Sequence, residues 1–124
     1  MTAPRLPVAL LAASAGGVLG ALARYGLTEW APVRSGFPWT VFAINVVGSA
    51  LLAGVPALAA VRRTPWLGVF LGTGVLGGFT TMSAASAETV VLLDQGSTAT
   101  AFLYAGGTLA AAVLAVRAVD RYVG

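Results

Sequence analysis

The sequence predicts an all-α membrane protein of four transmembrane helices, the third broken near its middle. Three observations carry that expectation. Of the 124 residues, 58% are apolar and 9% charged, with a mean hydropathy of +0.90, whereas soluble domains carry about a quarter charged residues. A soluble domain this short has too much surface for its volume to hide that much apolar area. The apolar residues also gather into runs at about 6–28, 38–61, 66–93 and 98–119, and a bilayer span needs about 20 mostly apolar residues. Finally, the middle of the third run, residues 72–88, holds Gly72, Gly74, Gly77 and Gly78, then Thr80, Thr81, Ser83, Ser86 and Glu88. Glycine and threonine at that density are poor helix formers. Broken backbone at membrane depth is tolerated only where it is buried in protein or lines a watery cavity.

Each run justifies itself in turn. The first carries Arg24 near its end. The second opens at Pro38-Trp39 and closes at Arg62-Arg63. The third is longer than one span requires, which leaves room for the break. The fourth runs from Thr98 to Val119. Trp30, Trp39 and Trp66 fall at the expected span ends, where interfacial aromatics belong. The connections are short and carry Pro32 to Pro38, Arg62 to Pro65 and Asp94 to Ser97. Four helices with tight turns give an antiparallel bundle, read as a single domain over 1–124. Arg5, the first apolar run and Ala13-Ser14-Ala15 have the look of a secretory signal. The run continues to Leu22 without a polar break, so the segment is expected to stay as the first span.

Composition also removes whole classes of chemistry. Without cysteine there are no disulfides or thiolate metal sites, and without histidine the usual general base is missing. The basic residues are all arginine and the net charge is +3, but they are scattered and leave no face for nucleic acid. The charge reads instead as topology information.

Several motifs carry chemistry. Gly17, Gly20 and Arg24 share one face of the first helix, and Gly16/Gly20 is a small-xxx-small pair that lets two backbones approach. An arginine at depth costs about 2.5–3.5 kcal/mol on insertion scales unless it reaches water or a partner. Arg24 therefore either snorkels to the interface or faces an anion. In the second run Asn45 and Ser49 point the same way with Gly48 between them. They serve either an interhelical hydrogen bond or, through the amide NH₂, a dehydrated anion. Gly72-Thr73-Gly74-Val75-Leu76-Gly77 formally matches the dinucleotide fingerprint, but a bilayer offers no βαβ unit to hold one. Gly68/Gly72 and Gly74/Gly78 read instead as packing pairs, and Gly77 to Thr81 as the helix break. Such a break frees carbonyls for a cation and helix N-termini for an anion. Thr100, Tyr104 and Thr108 make a polar stripe on the fourth helix, either interhelical glue or a hydroxyl track for an ion. Glu88 lies toward the far end of the third span, as a partly hydrated acid or a proton carrier.

These residues, in this order, resemble the small bacterial fluoride channels of the Fluc or CrcB family. The carriers are Gly16 to Tyr25, Asn45 to Ser49, and Gly77 to Ser83 with Glu88. The resemblance implies an antiparallel dimer in the plasma membrane, with two pores that export fluoride passively. The pore set it implies is Asn45, Ser49, Met82, Ser83, Tyr104 and Thr108, with Arg24 at the vestibule. It also implies a central structural Na⁺ held by the backbone carbonyls of Gly77 and Thr80. The sequence departs from the family at one place: third-helix phenylalanines, whose electropositive ring edges suit an anion, are replaced by Met82 and Ala85. Methionine still offers a polarizable contact, and alanine offers none.

The charge distribution points the same way. With four spans, both termini and the 62–65 connection share one side, with Arg5, Arg62, Arg63, Arg117 and Arg121. The other side holds Arg34, and Arg24 if it is counted. That bias places the termini in the cytoplasm, whereas a dual-topology homodimer needs a bias near zero. A heterodimer with an oppositely oriented homologous subunit is the preferred expectation, and a homodimer using Met82 in place of the ring is the milder one. A small proton-coupled multidrug exporter would need a carboxylate within the first helix, where the chain has only Glu29 at the end. A non-conducting partner subunit is the remaining alternative.

Overall fold

A computed structural model describes residues 2–124, and it is helical from Leu6 onward apart from short connections. Helix α1 spans Leu6–Trp30, with a proline in its first turn, where the missing N–H has no helical partner to lose. Helix α2, Trp39–Gly54, continues through a single 3₁₀ turn, Val55–Ala57. At Leu58 the chain is extended (φ −67°, ψ 126°), and the short helix α3, Ala59–Arg63, follows. The second apolar run, expected to be one span from 38 to 61, thus ends as a span at Ala57. The cause is Pro56, which cannot continue the helical ladder.

The third span covers Pro65–Asp94 and is built in pieces. Helix α4, Pro65–Gly68, runs into a π-helical segment, Val69–Leu76, and then α5, Gly77–Phe79. Thr80 (φ −77°, ψ 153°) and Thr81 (φ −150°, ψ 117°) are extended. Helix α6, Met82–Asp94, restarts the span with the Thr81 hydroxyl capping the Ala84 N–H. The break is real but narrower than the glycines suggest, because Gly77 and Gly78 remain helical and the two threonines carry the extended backbone. The π segment was not expected; it occupies the glycine-rich stretch that precedes the break. Helix α7, Thr98–Val123, completes the bundle. The α6–α7 turn closes as a Schellman cap: Ser97 N–H donates to the Leu92 carbonyl at 2.8 Å and Gly96 N–H to Leu93 at 3.0 Å. Gly96 takes φ +78° there, which is why a glycine occupies it.

The third span changes partners at its break. Helix α1 packs along the π segment and α5, whereas α6 packs on α7, which also packs on α2. The first contact is backbone on backbone. A methyl group placed on Gly74 would stand 2.9 Å from the Gly16 Cα, and one on Gly16 would run into the Phe70 carbonyl. Gly20 meets Val75 and Phe79 in the same way, and Gly78 meets Gly17. Gly16/Gly20 and Gly74/Gly78 are thus complementary, as their spacing predicts. Gly68 and Gly72 instead face the side chains of Val61 and Leu52.

Buried side chains form two clusters. Val41, Ala85, Leu92, Ala101 and Tyr104, covered by Phe37 and Phe42, pack near the start of α2. Val55, Val61 and Leu76 pack at the opposite end with Leu67 and Leu71. Leu10, Leu11, Leu22, Phe102 and Leu114 face outward. Outward leucine and phenylalanine fit a lipid solvent, which has no reason to expel them.

Candidate functional site

The break is held by one side chain. Asn45, buried on α2, accepts from the Thr81 N–H through Oδ1 at 2.8 Å and donates from Nδ2 to the Thr81 carbonyl at 2.9 Å. An amide side chain carries a donor and an acceptor side by side, so it can pair with one extended residue as a neighbouring strand would. The extended backbone of Thr81 is therefore satisfied at a depth where an unpaired peptide group is expensive. Gly48, one turn along α2, makes room for the break: a methyl group there would strike the Thr80 Cγ2 and lie 3.3 Å from the Phe79 ring.

The clasp has a consequence for the carbonyls around it. In an unbroken helix the Thr81 N–H would donate to Gly77, and the Ala84 N–H to Thr80. Here the first goes to Asn45 and the second to the Thr81 hydroxyl. The Leu76 carbonyl accepts from both the Thr80 N–H, at 3.0 Å, and the Thr80 hydroxyl, at 2.9 Å. The Gly78 carbonyl accepts from Arg24 Nε at 3.3 Å. Arg24 thus reaches back onto the end of α5, where a cation complements the helix dipole.

A groove of 350 Å³ opens beside the clasp, between α2, α6 and α7. Asn45, Ser49, Thr80, Thr81, Met82 and Thr108 bring it polar and polarizable atoms, and Ala105, Leu109 and Ala112 an apolar wall. Ser86 and Thr89 also line it; the sequence reading has Ser86 only as part of the polar stretch and Thr89 not at all. The spacing Met82, Ala85, Ser86, Thr89 would have shown that they share a helix face. Two of the hydroxyls turn inward on their own helices: Thr108 Oγ1 donates to the Tyr104 carbonyl at 2.6 Å, and Thr89 Oγ1 to Ala85 at 2.7 Å.

Of the site residues singled out from sequence, Asn45, Ser49, Thr80, Met82 and Thr108 meet in this groove. Ser83 is exposed on another side of α6, and Arg24 sits half-buried at the break. Tyr104 is fully buried in the core. Its ring meets Phe37 edge-on, with centroids 5.3 Å apart, and its hydroxyl donates to Glu88 Oε2 at 3.1 Å. Glu88 in turn lines a second hollow with Arg34, Thr40 and Gln95, at the end of the bundle away from the termini. Gly77 is exposed and Thr80 half-buried. Met82 is 67% exposed, whereas Ala85 is 8% exposed and packs against the Tyr104 cluster.

Residues 11–119 match the family model described as CrcB-like protein, Camphor Resistance (CrcB). The chain is 42% identical over 104 residues to the fluoride-specific ion channel FluC of Sorangium cellulosum, covering 81% of this chain and 82% of that protein. It is 48% identical over 104 residues to the FluC of Novosphingobium aromaticivorans, covering 79% and 82%. To the fluoride-specific ion channel FluC 2 of Nocardia farcinica it is 40% identical over 119 residues, covering 91% and 83%.

Proposed function

We infer that this chain, which belongs to the CrcB-like protein family, is a fluoride-specific ion channel subunit of the membrane rather than an enzyme. The observation that carries the reading is the groove beside the Asn45-held break. Fluoride holds its water tightly, and an isolated ion in a low-dielectric medium costs tens of kcal/mol. A pore must replace that water with donors. The Asn45 amide has a second N–H beyond the one spent on Thr81, and Ser49 and Ser86 add hydroxyls along the same groove. Thr108 can turn its proton from the Tyr104 carbonyl to a passing ion. No covalent step is required, so passive flow down a gradient is the whole mechanism.

The working unit we propose is an antiparallel dimer with two pores. Thr73, Gly77, Ser83 and Ser86 are exposed along the third span, and hydroxyls at membrane depth call for a polar or protein neighbour. A central structural Na⁺ fits the donor set at the break. The carbonyls of Gly77 and Thr80 have lost their helical donors to Asn45 and Thr81, and backbone carbonyls are hard oxygen ligands that suit such a cation. Bound there, Na⁺ would supply a positive charge at the dimer centre.

Within that dimer the preferred partner is a homologous subunit of opposite orientation. The arginine bias toward the side of the termini locks this chain one way, and a chain so locked needs a partner locked the other way. Met82 and Ala85 leave this subunit without aromatic edges at the groove, and the partner would supply them. The test is fluoride efflux from liposomes, read with a fluoride electrode, for this chain alone and for the pair. Efflux from the pair and not from the single chain is expected. Robust efflux from the pure chain overturns the two-chain reading and leaves a homodimer working through Met82. Silence of both preparations would make the chain a non-conducting subunit.

A further inference from the structure

The groove does not stop at Ala112. A third hollow, of 330 Å³ and at the end of the bundle that carries both termini, is lined by Ser49 and Ala112 as well as Val116, Arg117 and Asp120. Ser49 and Ala112 line both hollows, so they are two stretches of one track along α2 and α7. The α7 side follows helical spacing, with Thr108, Ala112, Val116 and Asp120 each four apart and Arg117 beside the last turn. Beyond Thr108 that side is apolar until its last two turns. There a guanidinium and a carboxylate stand together at the mouth.

We propose that this end of the groove is an anion-collecting mouth, in which Arg117 raises the local fluoride concentration and Asp120 lowers it. The inference rests on the channel reading above and adds the residues that set entry. Charge at the mouth of a low-dielectric cleft is focused along it and changes the local concentration of a small ion. The focus matters because Ala112, Val113 and Val116 give an entering ion no donors before Ser49. Arg24 is not part of this lining, and its Nε is engaged at the break with Gly78. Arg117 is exposed and free of that duty, while Asp120 on the same face opposes it.

The two charges therefore act with opposite sign, which separates steering from a merely structural ion pair. Fluoride efflux would be measured on reconstituted channels containing this chain, with its partner subunit if the chain needs one. Wild type, Arg117→Gln and Asp120→Asn are compared at about 10 mM ionic strength, where the screening length is about 30 Å, and at about 1 M, where it is about 3 Å. At low salt, R117Q is expected to reduce efflux by at least about threefold and D120N to raise it, with both differences closing at high salt. Arg63→Gln, at the same end but outside the groove lining, should change efflux less than R117Q does. Equal efflux from all variants at low salt would overturn the mouth, as would R117Q and D120N moving in the same direction. A silent wild type would overturn the channel reading and this inference with it, whereas a conducting wild type with insensitive variants would remove only the inference.

Discussion

The two halves of the third span are made of similar small residues and do opposite work. Before the break, the π segment and α5 lie with Gly74 and Gly78 directly on the backbone of α1. Past it, α6 packs on α7 through Ala85 and Leu92 and turns Met82, Ser86 and Thr89 to an open groove. The first half is a closed seam and the second borders a cavity. What separates them is not composition but what stands opposite. Gly16 and Gly20 of α1 let the seam close to backbone contact, whereas α2 and α7 carry side chains that hold α6 at a distance. Small residues therefore signal close packing only when small residues face them.

The largest way to break that contrast is to prop the seam open. Gly20→Val would drive a branched side chain into the Val75 carbonyl and stand 2.8 Å from the Phe79 nitrogen. Neither is the flexible tip of a side chain, so neither can yield. The expected outcome exceeds the about 1–3 kcal/mol of ordinary overpacking, seen as loss of a monodisperse peak on size-exclusion chromatography in detergent. Gly26→Ala, where nothing lies within 4 Å, should leave that peak intact.

Next comes the joint between the halves. Asn45→Ala removes both bonds to Thr81 and strands a buried N–H and carbonyl, at about 1–3 kcal/mol for each group. Thermal unfolding should start lower and fluoride efflux should fall to background. Asn45→Asp keeps an acceptor for the Thr81 N–H, so it should unfold later than the alanine variant. It should still fail in efflux, because a carboxylate at the groove repels an anion.

A smaller effect is expected at the seam's outer end. Arg24→Gln gives up the Nε contact with Gly78 and should lower stability by about 1 kcal/mol, within the range for a cation at a helix end. The smallest change in stability belongs to the groove. Met82 is mostly exposed, so Met82→Phe should alter stability by no more than about 0.5 kcal/mol. Its effect should be functional: a ring edge at the groove should raise fluoride efflux from preparations of this chain alone.

Much of the fold was legible before any coordinates. Lipid as solvent, four spans, tight turns and a broken third helix follow from composition and run length, because a bilayer leaves the backbone few alternatives. The pairs Gly16/Gly20 and Gly74/Gly78 could be read for the same reason, whereas Gly68 and Gly72 meet side chains rather than backbone. Hydropathy carries the second run to Val61, whereas the apolar helix ends at Ala57, because hydropathy does not register Pro56. The candidate site was legible as a set of residue types rather than an arrangement. Asn45, Ser49 and Thr108 stood out as polar residues in apolar runs, and three dimensions brought them together with Met82. Tyr104 stood out by the same rule, yet its hydroxyl is directed to Glu88 within the core.

The sequence by itself determined that the chain lives in lipid, that it crosses four times, and that its third crossing is weak near the middle. Those are consequences of local composition against one solvent. The tertiary structure decided where the weakness becomes a break. The glycines stay helical because α1 presses on them, and Thr80 and Thr81 unwind because Asn45, 36 residues away in sequence from Thr81, offers the peptide group a better partner than its own helix. Which polar group meets which is a matter of pairing across helices, and no local pattern specifies it.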